Sequence, residues 1–268
     1  MRGKVVGIII AVVAVIAVVG GTFIYNANKT PEYADKAFVK SVANGLENRW
    51  AIIDKGDSQK RTSSEENSDL KKAIQAELDA ISKYKTMNFK STKLQELAVS
   101  YINALNAQKK NVNGRTDYDS SAFNAWNTAY DKRSVILAEL VKTYDLTVSD
   151  KYENELKDLM ANGKDVKKSE KAQEQVDALK NALDFQQVDG DYEYTDYRSY
   201  EAVLENNSDI DFDYFNVEVT LLDAEGVNLD TTYANVSNWK QGTKARFEFS
   251  TDDQFAKIET KVSWSSED

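Results

Sequence analysis

The chain has 268 residues, with 44 Asp+Glu against 34 Lys+Arg and neither His nor Cys, for a net charge of −10. Lacking both residue types, it has no Ser-His-Asp, Cys-His or His-based zinc chemistry, no disulfide framework and no Cys to carry a lipoprotein's lipid. The acidity sits at one end: from Gln186 onward 19 Asp+Glu face 6 Lys+Arg, −13 against +3 for the remainder, which argues against nucleic acid as a partner because phosphate binding needs clustered Lys and Arg.

Met1, Arg2 and Lys4 make a short positive head, and Val5 to Tyr25 is an apolar run of 21 residues without one charge. At about 1.5 Å per residue it reaches roughly 31 Å, the hydrocarbon thickness of a bilayer. A cleavable signal peptide has an apolar region of about 7–15 residues. Val19 and Gly21 could imitate its cleavage site, but Phe23, Ile24 and Tyr25 continue the run. The expectation is a transmembrane anchor in residues 1–30, spanning at 5–25. Lys and Arg are nearly tied on its two flanks, and the small positive head favours a cytoplasmic N-terminus with the bulk extracytoplasmic.

From Pro31 to Phe185 the spacing is helical, and the chain's single Pro stands at the start, where a first turn tolerates it. Phe38, Val42, Leu46, Trp50 and Ile53 form one apolar stripe, which Gly56, Asp57 and Ser58 end. Leu70, Ile74, Leu78, Ile81 and Tyr84 form a second. Thr92 and Gln95 have capping-box spacing before Leu94, Leu97, Tyr101, Ile102 and Leu105. Asn111 to Gly114 supplies a turn, then Phe123, Trp126, Tyr130, Leu137, Leu140, Val141 and Tyr144 line another helix. Asp150 with Glu153 reads as a capping pair opening a short helix through Leu156 and Leu159 that stops at Asn162 and Gly163. A last segment carries Val176, Leu179 and Leu183 among many charges. Residues 31–185 hold 25 Lys+Arg and 25 Asp+Glu, the balance of solvated outer faces, and the stripes predict an antiparallel all-α bundle of four or five helices.

Near Gln186 the period changes to two. Glu193 to Leu204, Val217 to Leu221, Ala245 to Phe249 and Ile258 to Trp264 alternate. Turn signals lie at Asn206-Asn207-Ser208, Asp223 to Gly226, Lys240 to Gly242 and Thr251 to Asp253. Residues 186–268 therefore predict a small all-β sandwich of Ig-like size, with Trp239 and Trp264 filling its core or closing its end.

The stretch VEVTLLDAEGVNLDTTYANVSNWKQGTKARFEF resembles the FxLYD domain of bacterial envelope proteins. Leu221, Asp223, Gly226, Gly242 and the Phe247/Phe249 pair match, whereas Val219 and Leu222 stand where the family has Phe and Tyr. The resemblance covers roughly Tyr192 to Trp264. It implies an Ig-like fold outside a Gram-positive-type cell and brings no catalytic residues. The order of membrane helix, helical region and this domain also looks like that of Gram-positive surface proteins.

Asp209, Asp211 and Asp213 form a D-x-D-x-D run, but Tyr214 and Phe215 follow where a closed calcium loop needs Gly, and the bidentate Glu is missing. The run reads as a solvated, self-repelling strand edge. Tyr192, Tyr194, Tyr197 and Tyr200 could stack on sugars, with strand packing as the plainer role. Asn28, Asn206 and Asn235 head N-x-S/T sequons. No glycine loop for nucleotides and no G-x-S-x-G elbow occurs. Catalytic, cofactor-binding and metal residues are accordingly assigned to none. The functional expectation is a non-enzymatic envelope protein that displays both modules to a protein or a wall polymer. The alternatives are a carboxylate-dependent enzyme acting on the cell wall and a sensor or transport accessory subunit.

Overall fold

The computed structural model describes residues 33–57, 61–118, 120–188 and 196–266. The anchor reading at 5–25 lies outside them, and no helix among the described residues is long and apolar enough to cross a membrane.

Among the described residues there are five α-helices, and α1 to α4 follow the predicted stripes. In α1 (Asp35–Asp57) Phe38, Val42 and Leu46 are fully buried and Trp50 nearly so, one residue per turn on one face. The Asp35 carboxylate accepts the backbone N–H groups of Lys90 and Ser91 at 2.8 and 3.0 Å, tying the start of α1 to the chain entering α3. Helix α2 (Ser63–Ile81) opens on a reciprocal capping box between Thr62 and Glu65 and closes in a 3₁₀ turn, Ser82–Thr86. Helix α3 (Thr92–Asn111) is capped by Ser91, whose hydroxyl accepts the Leu94 N–H, so the Thr92/Gln95 pair is not the cap. Ser120 caps α4 (Ser121–Tyr144) in the same way. Residues from α1 to the first turns of α5 enclose one apolar core.

Helix α5 (Glu153–Ala182) departs most from expectation. It runs for 30 residues without the stop at Asn162-Gly163, and no side chain caps its start: Asp150–Tyr152 is a 3₁₀ turn, and Tyr152 at the N-cap packs its ring 5.3 Å from Trp50. Gly163 is there because α4 passes so close. A Cβ at that position would lie 2.5 Å from the Ser134 carbonyl oxygen, inside van der Waals contact with backbone that cannot swing away. Close crossing, and not chain reversal, explains this glycine.

The first half of α5 buries Leu156 and Leu159 in the helical core, and its second half buries Val176 and Leu179 in the core of the β module. The helix thereby belongs to both. Its many charges face water on the remaining sides, which is why its periodicity is faint in the sequence.

Among the described residues six strands form two three-stranded antiparallel sheets, one ordered β1 (Gln186–Val188), β2 (Arg198–Glu205), β5 (Lys244–Thr251), the other β4 (Asn228–Trp239), β3 (Phe212–Leu222), β6 (Lys257–Ser266). Inward residues of both sheets share one apolar cluster: Phe215, Val217, Val219 and Leu221 of β3 with Ala202, Phe247 and Phe249, the period-two alternation of half-buried strands. Trp239 is buried there, its indole N–H donating to the Thr243 carbonyl at 3.0 Å. Trp264 is half-buried, edge-on to Phe212.

The four sequence turns all connect strands. At Asp223 the carboxylate accepts the N–H groups of Glu225 and Val227 at 2.9 and 2.8 Å, and Gly226 takes φ 86°. An Asp that caps its own turn and a Gly that supplies positive φ give Asp223 and Gly226 a physical reason at these positions.

Candidate functional site

The helical core contains a group of polar side chains that the stripes conceal. Glu77 of α2 is completely buried, and Arg49 of α1, Arg133 of α4, and Tyr101 and Gln108 of α3 surround it. Arg133 donates from Nε and Nη2 to Glu77 Oε1 at 3.2 and 3.0 Å, Arg49 Nη1 donates to Oε2 at 2.9 Å, and the Tyr101 hydroxyl donates to Oε1. Arg49 also reaches Gln108 Oε1 at 3.4 Å.

Burial opposes ionisation of Glu77, but the guanidiniums of Arg133 and Arg49, helped by hydrogen bonds from Tyr101 and Arg49, hold the carboxyl below its usual range. Burial and the neighbouring Arg133 pull Arg49 down, against the attraction of Glu77. Burial also opposes the charge on Arg133, and Glu77 with Tyr101 more than restores it. Burial, with the Glu77 carboxylate beside it, pushes Tyr101 well above the ordinary tyrosine range despite Arg133. The network joins four helices and lines neither of the two large surface grooves described next. Its chemistry is internal: it fixes the relative positions of α1 to α4.

Two large grooves are open to solvent. One, of about 530 Å³, runs between α1 and the extended segment after α4, with Val39, Ala43 and Val148 as apolar floor and Lys36, Lys40 and Glu47 on its rim. Glu47 closes one end by accepting the Ser149 N–H at 2.7 Å. The other, of about 590 Å³, lies where α5 meets the β module and combines the Trp264 indole with Asp165, Lys168, Ser169, Gln173, Asp209 and Asp211. Lys171 pairs with Asp209 across this junction.

The acidic run does not converge. Hydrogen bonds from Lys171, then Gln175, hold the Asp209 carboxyl low. Asp211 is held low by the Gln241 N–H at 2.8 Å and by Lys240, and Asp213 stands in β3. Among the described residues no group of three His, Cys, Asp or Glu side chains is suited to hold a metal ion. Every described carboxyl with a displaced titration, Glu65, Asp69, Glu77, Glu139, Asp209 and Asp211, is moved downward.

Of the tyrosines singled out in the sequence, Tyr192 and Tyr194 lie outside the described residues, Tyr197 is exposed, and Tyr200 stacks on Phe249 with ring centres 5.0 Å apart. Asn206 is fully buried, its amide donating to the carbonyls of Ile210 and Trp239 at 2.8 and 3.1 Å, so that sequon is a structural element. Asn235 is exposed on β4, and Asn28 lies outside the described residues.

Sequence reasoning missed the Glu77 network and the α5 junction. The first had a signal: Glu77 falls three residues after Ile74 and four before Ile81, on the apolar stripe itself, and Arg133 stands four residues before Leu137. Comparison of the chain with protein-family models, with curated proteins and with solved structures gave no match.

Proposed function

We propose that the chain is a non-enzymatic, single-pass cell-envelope protein, anchored through residues 5–25. In this reading the helical module and an FxLYD-like, Ig-type β-sandwich are displayed outside the cell to bind an envelope protein or a wall polymer. The observation that carries it is the groove where α5 meets the β module: open, built from an indole, a Lys, Ser and Gln side chains, and carboxylates, of which Asp209 and Asp211 are held below the usual range by their hydrogen-bond partners. Such a mixture suits recognition of a polar partner. A glycosidase needs the opposite, one carboxyl with a raised pKa facing a second across a cleft. The self-capped Asp223 turn and the two positive-φ glycines, Gly226 and Gly242, support the FxLYD-like assignment.

A photoreactive residue introduced at Ser169, on the rim of this groove, tests the reading in intact cells. Irradiation should give one defined adduct, lost when Lys168→Glu reverses the neighbouring rim charge. Absence of any adduct, or release of soluble wall fragments by the purified protein that stops with Asp211→Asn, would replace binding by another activity.

A further inference from the structure

Residues 33–40, which open α1, and residues 82–93, which join α2 to α3, make one surface at one end of the bundle. The Asp35 carboxylate holds the N–H groups of Lys90 and Ser91, and the Ala34 N–H donates to the Asn88 carbonyl at 2.9 Å. The Phe38 ring stands edge-on to Tyr84 and Phe89, with centres 5.4 and 5.6 Å apart. From this packed base Lys36, Lys40, Lys83, Lys85, Lys90 and Lys93 all reach water. The same 20 residues hold one acid, Asp35, already occupied by backbone donors. They therefore carry +5 in a helical module whose 25 Lys+Arg and 25 Asp+Glu sum to zero, so the rest of that module carries −5. Among the described residues none of the six lysines pairs with a carboxylate, although Lys72, Lys151, Lys157 and Lys167 of the same module do. Met87, 40 % exposed, lies in the same turn.

We infer, on the anchored reading given above, that this lysine surface docks on the anionic lipid headgroups of the membrane that residues 5–25 span. Chain length selects a bilayer as the occupant. Only nine residues separate Tyr25, the last of the apolar run, from Asp35, and at about 3.5 Å per residue they hold the start of α1 within roughly 35 Å of the bilayer. A tether that short keeps the headgroups at high effective concentration. Charge selects the lipid: unpaired lysines beside a span are drawn to anionic headgroups, and Met87 supplies an apolar side chain for the interface. The attraction is local, because charges separated by more than about 8 Å are largely screened at physiological salt, so the net charge of the whole chain does not decide it. The −13 of the β module is carried on the second half of α5, whose first half packs on α4. A bundle resting on its α2–α3 corner thus brings +5 to the surface and keeps the acidic module off it. Docking thereby fixes how the groove beside Trp264 is presented.

The chain has no cysteine, so a full-length Met87→Cys variant takes one fluorophore. It is reconstituted in vesicles containing a lipid with a quencher on its headgroup, made either of equal parts phosphatidylglycerol and phosphatidylcholine or of phosphatidylcholine alone. Quenching is expected with phosphatidylglycerol, little without it, and its loss in about 1 M salt, where the Debye length is about 3 Å. Lys85→Ala with Lys90→Ala should lower the ratio of docked to undocked chain by about 25-fold, or fivefold per lysine, with an unchanged helical melting temperature showing that the fold survives. A label on Ser237→Cys of β4 should stay unquenched throughout. Flotation of the chain with the vesicles in high salt reads the anchor separately. Equal quenching in both lipids, or none in either, from chain that floats would overturn the inference and leave the anchor standing, whereas chain that does not float would overturn both. Protection of the label by added polyphosphate in place of quenching would assign the lysines to a soluble polyanion and overturn docking on lipid.

Discussion

Replacing Glu77 by Gln should destabilise the helical module by about 3–5 kcal/mol, because it leaves Arg49 and Arg133 buried without their counter-charge. Arg133 is 1 % and Arg49 5 % exposed, so neither guanidinium can recover its hydration without opening the bundle. For a module of this size that corresponds to a fall in melting temperature of roughly 6–20 °C, read from the helical circular dichroism. Replacing the three charged groups together, Glu77→Leu with Arg49→Met and Arg133→Met, should be milder, since apolar residues of similar volume remove the desolvation penalty with the attraction and leave mainly the cost of the buried Tyr101 hydroxyl without its acceptor, about 1–3 kcal/mol. The contrast between single and triple substitution separates a lost ion pair from lost packing. Equal destabilisation by both would show that shape, not charge, holds this centre.

The same network sets a pH dependence. Glu77 is ionised in the fold with its pKa below the unfolded value, so the unfolded chain binds the proton more readily and acid favours unfolding. The stabilisation is complete above the ordinary Glu range and disappears as pH falls through the depressed folded value. Chemical denaturation across the acid range should show a loss in the wild type that Glu77→Gln no longer shows at this site.

Leu179→Ala should destabilise the β module by about 2–5 kcal/mol although the residue belongs to a helix. Leu179 is 4 % exposed and Val176 1 % exposed in the cluster that contains Phe247 and Trp239. A small sheet module depends heavily on each large buried side chain, and the expected fall is roughly 8–40 °C in its own transition, followed through the near-ultraviolet signal of Trp239 and Trp264. The first half of α5 packs separately, through Leu156 and Leu159, so the helical transition should move little. A fragment beginning at Gln186 would lack Val176 and Leu179 and should be correspondingly weaker than one that retains the second half of α5. An unchanged β transition in Leu179→Ala would mean that α5 merely rests on the sheets.

How much of this was legible in the sequence depends on which residue carried the information. Phe38, Val42, Leu46 and Trp50 announce α1 because water exclusion repeats every three to four residues, and the same holds for Trp126, Leu137 and Leu140 in α4. Val217, Val219 and Leu221 announce β3 by alternation. Gly163 misled because a glycine that ends a helix and one that admits a neighbouring backbone look alike until the neighbour is known. Val176 and Leu179 were faint because their partners lie on strands far along the chain. Arg49, Glu77 and Arg133 were absorbed into a balanced count of surface charges, since a charge deep in a bundle is distinguished only by what surrounds it. The grooves were not legible at all, being formed by elements distant in sequence.

The central proposal, that the bulk of the chain is displayed on the outer side of a membrane through residues 5–25, is tested most directly by accessibility in living cells. With no native cysteine, Ser237→Cys on exposed β4 and Lys132→Cys on exposed α4 each provide a single reporter. Both should react with a membrane-impermeant thiol reagent on whole cells whose wall admits it, on a chain that remains in the membrane fraction at full length. Labelling only after lysis, or a mature chain beginning after Gly21, would contradict it.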